Sequence, residues 1–64
     1  MVKINGQAVD AKGKTISQIL AENNYSERLV AVEINEDIIP KEQYASATLS
    51  DGDVMEIVSF MGGG

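Results

Sequence analysis

The chain has 64 residues, no cysteine and no histidine, with ten acidic residues against five basic ones and a net charge of −5. A chain of this size forms one domain that buries only about 60% of its unfolded surface, and neither a disulfide nor a Cys/His zinc site is there to hold it. The acidic balance argues against nucleic acid or an anionic membrane as a partner. No apolar run is long enough to span a bilayer. The opening Met1-Val2-Lys3-Ile4-Asn5 alternates like a strand rather than a secretion signal, so the sequence reads as cytoplasmic.

Val2 and Ile4 alternate with Lys3, the period of a half-buried strand. Asn5-Gly6 tolerates the positive φ angles of a type I′ turn and predicts a tight hairpin with a return strand over residues 7–10. After the loop Lys12-Gly13-Lys14, Thr15 and Gln18 have capping-box spacing. Ile16, Ile19 and Leu20 then fall on one helical face, and Asn23-Asn24 ends a helix too short to be stable without packing on a sheet.

Residues 28–35 predict the next strand, with Val30, Val32 and Ile34 facing the helix and Ala31 and Glu33 facing solvent. Asn35-Glu36-Asp37 turns the chain into a brief strand, Ile38-Ile39, stopped by Pro40. Residues 41–45 read as one helical turn that lays Tyr44 on the core, with Lys41 and Arg28 solvated. Leu49 reads as a core plug ahead of the Asp51-Gly52 turn. Residues 54–60 predict the last and longest strand. Burying Glu56 unpaired would cost several kcal/mol, so Met55 and Ile57 go inside. Val58 and Phe60 stay outside with Glu56.

This order predicts an α+β domain, a β-grasp, with a mixed four- to five-stranded sheet and one main helix on one face. Both terminal strands are central in that arrangement. The domain is expected over residues 1–61, with residues 62–64 as a flexible glycine tail rooted in its most rigid part.

Catalysis by this chain finds no support. A nucleophile needs an adjacent base, and His and Cys are absent. Asp51-Gly52-Asp53 reads as a turn rather than a calcium loop, which would carry further ligands at fixed steps. The end Gly62-Gly63-Gly64 is no phosphate loop, because no Lys or helix follows. What remains is a terminal carboxylate on a glycine arm, ionised at neutral pH. Adenylation by ATP would turn it into a mixed anhydride open to a sulfur or nitrogen nucleophile. Glycine without Cβ can thread a narrow enzyme channel and leaves the carbonyl unhindered.

Over its whole length the sequence resembles the thiamine-pathway sulfur carrier proteins, ubiquitin-like relatives of the molybdopterin-synthase small subunit. The resemblance is carried by Asn5-Gly6, Thr15-Ile16 with Ile19-Leu20, Val32-Glu33-Ile34-Asn35, Ile38-Ile39-Pro40-Lys41 with Tyr44, and Leu49 with Asp51-Gly52-Asp53. The ending from Ile57 to Gly64 completes it. The resemblance implies a carrier rather than an enzyme. A ubiquitin-activating-type enzyme, holding ATP and magnesium itself, would adenylate Gly64. A sulfur-donating persulfide enzyme would convert it to a thiocarboxylate, and thiazole synthase would receive the sulfur. Gly62 and Gly63 would give access to Gly64. Val58, Phe60, Ala31 and Glu56 would form the docking patch, and no cofactor or metal would be bound by the chain itself. Sulfur delivery to molybdopterin or cysteine, a ubiquitin-like protein modifier and a plain β-grasp binding module are the alternatives.

Overall fold

A computed structural model describes residues 1–60 of the chain. The expected tail, Gly62, Gly63 and Gly64, and the last residue of the expected domain, Met61, lie outside the described residues. Strands β1 (Val2–Ile4) and β2 (Gln7–Val9) form the first hairpin. Helix α1 (Ile16–Glu22) follows, then β3 (Val30–Ile34), the short β4 (Asp37–Ile38) and β5 (Val54–Ser59). The strands make one sheet in the order β2-β1-β5-β3-β4. β5 runs parallel to β1 and antiparallel to β3. This is the mixed sheet with one helix that the sequence predicts. The last strand lies at its centre with the first beside it.

Local chemistry explains most of the elements. Asn5 and Gly6 have φ of 49° and 87°, as a type I′ turn requires. The capping box on α1 is complete: Thr15 Oγ1 accepts from the Gln18 amide at 3.1 Å, and Gln18 Oε1 accepts from the Thr15 amide at 2.8 Å. The next two amides of the helix are satisfied from elsewhere in the chain, Ile16 donating to the Ala47 carbonyl and Ser17 to that of Tyr44. At the far end the Asn23 side chain donates to the Ile19 carbonyl, and Asn24 takes a positive φ of 63°. The orphan groups of a two-turn helix are thus largely provided for.

The inner face of the sheet meets α1 through Val2, Val30, Val32, Met55 and Ile57, all buried, against Ile16, Ile19 and Leu20. Tyr44, Leu49 and Ala11 close the ends of this core, and Ile4, Ile34 and Ile39 pack on it in part. The inside–outside assignments for β3 and β5 are those expected from the sequence.

Three local expectations need correction. Residues 28 and 29 are not strand: Glu27–Leu29 is a 3-10 turn that delivers the chain into β3 at Val30. Asp37 is not in the turn but pairs with Ile34, so the β3–β4 connection is the two-residue turn Asn35-Glu36, with φ of 53° and 73°. Lys41 is not simply solvated, because its Nζ donates to the carbonyls of Glu27 at 2.6 Å and Val30 at 3.0 Å. These carbonyls point away from the ladder where the 3-10 turn becomes β3, and the ammonium satisfies them.

Candidate functional site

Strand β5 alternates its side chains across the sheet. Met55 and Ile57 enter the core, which turns Val54, Glu56 and Val58 to the outer face, where Val58 is 54% exposed. Phe60 follows in the same parity at 63% exposure. β3 runs beside it in register, Ala31 opposite Val58 and Glu33 opposite Glu56. The ladder continues past the end of the strand, the Phe60 amide donating to the Leu29 carbonyl at 2.7 Å. The backbone leading to the tail is therefore held as far as Phe60. The four expected patch residues, Ala31, Glu56, Val58 and Phe60, do lie on one face, along the sheet's two central antiparallel strands.

Two asparagines hold β5 in place. The Asn5 Oδ1 accepts from the Ile57 amide at 2.8 Å and its Nδ2 donates to the Ile57 carbonyl at 3.3 Å. β1 has already turned away at that level, so the side chain stands in for a neighbouring backbone. At the start of β5 the Asn35 Oδ1 accepts from the Val54 amide at 3.0 Å, and the Asn35 amide donates to the Val54 carbonyl at 2.8 Å. Both asparagines occupy the first, left-handed position of a two-residue turn, which frees the side chain to reach sideways.

The outer face also includes residues that the sequence reading did not assign to the patch. Ile38 on β4 is paired with Glu33 and is 74% exposed. A turn one residue longer, as the sequence suggested, would have placed it opposite Ile34 and on the core side; the two-residue turn sends it outward. Val54 and Leu29 are also partly exposed on or beside this face. The signal available was the compatibility of Asn35-Glu36 with a two-residue turn, obscured because Glu is not a usual residue for positive φ.

Among the described residues no group of three or more His, Cys, Asp or Glu could hold a metal ion. Tyr44 is buried on the opposite side of the sheet, and that burial raises its phenol above the ordinary value of 10.0. It belongs to the core rather than to a site. No described helix is long and apolar enough to cross a membrane. The arrangement sets exposed apolar and acidic side chains on one sheet face, with the backbone held as far as Phe60.

Comparison with known proteins agrees with this fold. The model of the ThiS family matches residues 2–64. A sulfur carrier protein ThiS of Bacillus subtilis is 44% identical over 66 aligned residues, covering 100% of both chains. A thiazole synthase of Paramagnetospirillum magneticum is also 44% identical, over 95% of this chain, but the chain spans only 19% of that relative's length. Among solved structures, the crystal structure of a thiamine biosynthesis protein (ThiS) from Geobacter metallireducens superposes with a TM-score of 0.77 at 31% identity, covering 98% of this chain and 97% of the other. The sheet order, the single helix and this likeness identify a ubiquitin-like β-grasp, and the chain belongs to the ThiS family.

Proposed function

We propose that this chain is a sulfur carrier of thiamine biosynthesis, with the carboxylate of Gly64 as its working group. The observation that carries this reading is the extent of the family match, which runs through residue 64 and so takes in the glycine ending. The relative that the chain matches end to end in Bacillus subtilis is itself named a sulfur carrier protein.

The chemistry balances without a catalytic group on the carrier. The Gly64 carboxylate attacks the α-phosphorus of ATP and pyrophosphate leaves, giving an acyl adenylate. The terminal sulfur of a protein persulfide attacks the carbonyl carbon and AMP leaves. A thiol then cleaves the resulting acyl disulfide, releasing the thiocarboxylate and leaving a disulfide behind. ATP and magnesium belong to an adenylating partner of the ubiquitin-activating type. The persulfide belongs to a sulfur-donating enzyme, and the cytoplasm, which supplies ATP, is the proposed compartment.

Thiazole synthase is the proposed recipient. Its support is the Paramagnetospirillum relative of that name, which contains a stretch similar to this chain. Gly62 and Gly63 give the arm a narrow profile and leave Gly64 unhindered, and Ala31, Glu56, Val58 and Phe60 form the docking patch. The held backbone up to Phe60 favours this reading, because a partner that binds the sheet face meets the arm at a fixed starting point.

Intact-mass spectrometry tests the proposal. Incubated with ATP, magnesium, the adenylating enzyme and a persulfide source, the chain should gain the mass of one sulfur-for-oxygen exchange at Gly64. Deleting Gly63 and Gly64 should abolish both adenylation and the gain. Unimpaired adenylation of the shortened chain would refute the assignment, and covalent conjugates to other proteins would show a modifier instead.

A further inference from the structure

The outer sheet face has a charged centre. Next to the Ala31–Val58 pair, Glu33 and Glu56 stand directly opposite each other, with Ile38 on the far side of Glu33. The ladder sets how these two residues meet. Ile57 spends its amide and carbonyl on Asn5, so Val32 and Ile57 are a non-hydrogen-bonded pair, and Glu33 and Glu56 are the hydrogen-bonded pair beside it. The Asn35–Val54 and Leu29–Phe60 backbone bonds fall on the same parity.

Like charges directly opposed on one sheet face are destabilising, and among the described residues no ion pair reaches Glu33 or Glu56. Among the described residues the ion pairs join Lys14 to Glu22 and the N-terminus to Asp51. Lys3, the basic residue of β1, is aligned with Val54 and not with Glu56. A shallow depression of about 390 Å³ opens against Glu56, lined also by Asn35, Glu36 and Val54. The repulsive pair thus sits within exposed apolar side chains and beside space for a long incoming side chain.

We infer that this face docks a protein partner that presents an arginine or lysine to the Glu33–Glu56 pair, with apolar contacts to Val54, Val58 and Ile38 around it. An arginine fits best, since its planar fork can bond two carboxylates at once. A second copy of the chain is disfavoured, because a face-to-face dimer would oppose four carboxylates. The acid pair is unfavourable in the free domain and favourable in the complex, so it acts as a selector for partners that carry the complementary charge. The identity of the partner, the adenylating enzyme, rests on the sulfur-carrier reading above.

The test uses the full chain and that enzyme, with binding measured by calorimetry over a range of salt concentrations. Glu33→Gln with Glu56→Gln should raise the Tm of the free chain by about 1–5 °C. The same double variant should weaken binding about tenfold or more and flatten its dependence on salt. A merely structural role would move stability and binding in the same direction. Unchanged affinity and salt dependence in the double variant, with Val58→Ala and Phe60→Ala still weakening binding, would overturn the inference and leave the docking face standing. If neither the acidic nor the apolar variants affect binding, the docking face itself is refuted. A lowered Tm in the double variant would also overturn the inference, since the pair would then be stabilising. Failure of the sulfur-carrier reading shows separately, as no sulfur gain by the unaltered chain.

Discussion

Asn5 and Ile57, 52 positions apart in the sequence, are joined by two hydrogen bonds from one side-chain amide to both polar groups of one backbone residue. The first turn of the chain thereby secures the strand that leads to its end. Replacing Asn5 with glycine keeps the positive φ of the turn but removes both bonds. Two part-buried backbone groups would lose their partner, and stability should fall by about 1–3 kcal/mol. Urea denaturation measures that loss. Hydrogen exchange should show the Ile57 amide losing protection while the α1 amides keep theirs relative to global unfolding.

Ile57 and Phe60 lie on opposite faces of the same strand end, and their truncations should separate. Ile57 is only 6% exposed, so Ile57→Ala should cost about 2–5 kcal/mol as a cavity in a small core. Phe60→Ala removes an exposed ring and should change stability by no more than about 0.5 kcal/mol, while weakening binding to the adenylating partner. A large loss of Tm for Phe60→Ala with unchanged binding would assign the ring to the core instead.

Glu36 holds a φ of 73° in the Asn35-Glu36 turn, a conformation that costs a residue with a Cβ about 1–2 kcal/mol. Glycine at this position would make the turn Asn-Gly, the preferred pair for a two-residue hairpin. Glu36→Gly should therefore stabilise the chain by about 1 kcal/mol despite the extra freedom of glycine in the unfolded state. Chemical denaturation checks the sign, and an unchanged or lowered midpoint would contradict it.

Burial raises the phenol of Tyr44 above its ordinary value of 10.0. The folded state thus holds this proton more tightly than the unfolded chain does. The resulting stabilisation is complete below pH of about 10 and is lost as pH rises from there through the folded-state value. Compared across that range, Tyr44→Phe should lose less stability with rising pH than the unaltered chain. Parallel denaturation curves at neutral and alkaline pH measure the difference.

Much of this protein is legible in local sequence because the signals are local. The alternation in β3 and β5 sorts Val30, Val32, Met55 and Ile57 from Glu33, Glu56 and Val58. Thr15 with Gln18 marks the helix start, and Asn5-Gly6 marks the first hairpin. The glycine ending and the Ile39-Pro40-Lys41 segment with Tyr44 disclose the family. What the sequence could not settle depends on register and distant partners. Whether Ile38 faces the core or solvent turns on a single residue of turn length, since a one-residue slip inverts a strand. The opposition of Glu33 and Glu56 exists only once β3 and β5 are paired at a given register. The bonds from Lys41 to the carbonyls of Glu27 and Val30, and from Asn5 to Ile57, join residues that local pattern has no means of relating. The sequence by itself determined which faces of β3 and β5 are apolar and that residues 62–64 are glycine; the tertiary structure decided which side chains meet across strands, because pairing is set by the whole sheet.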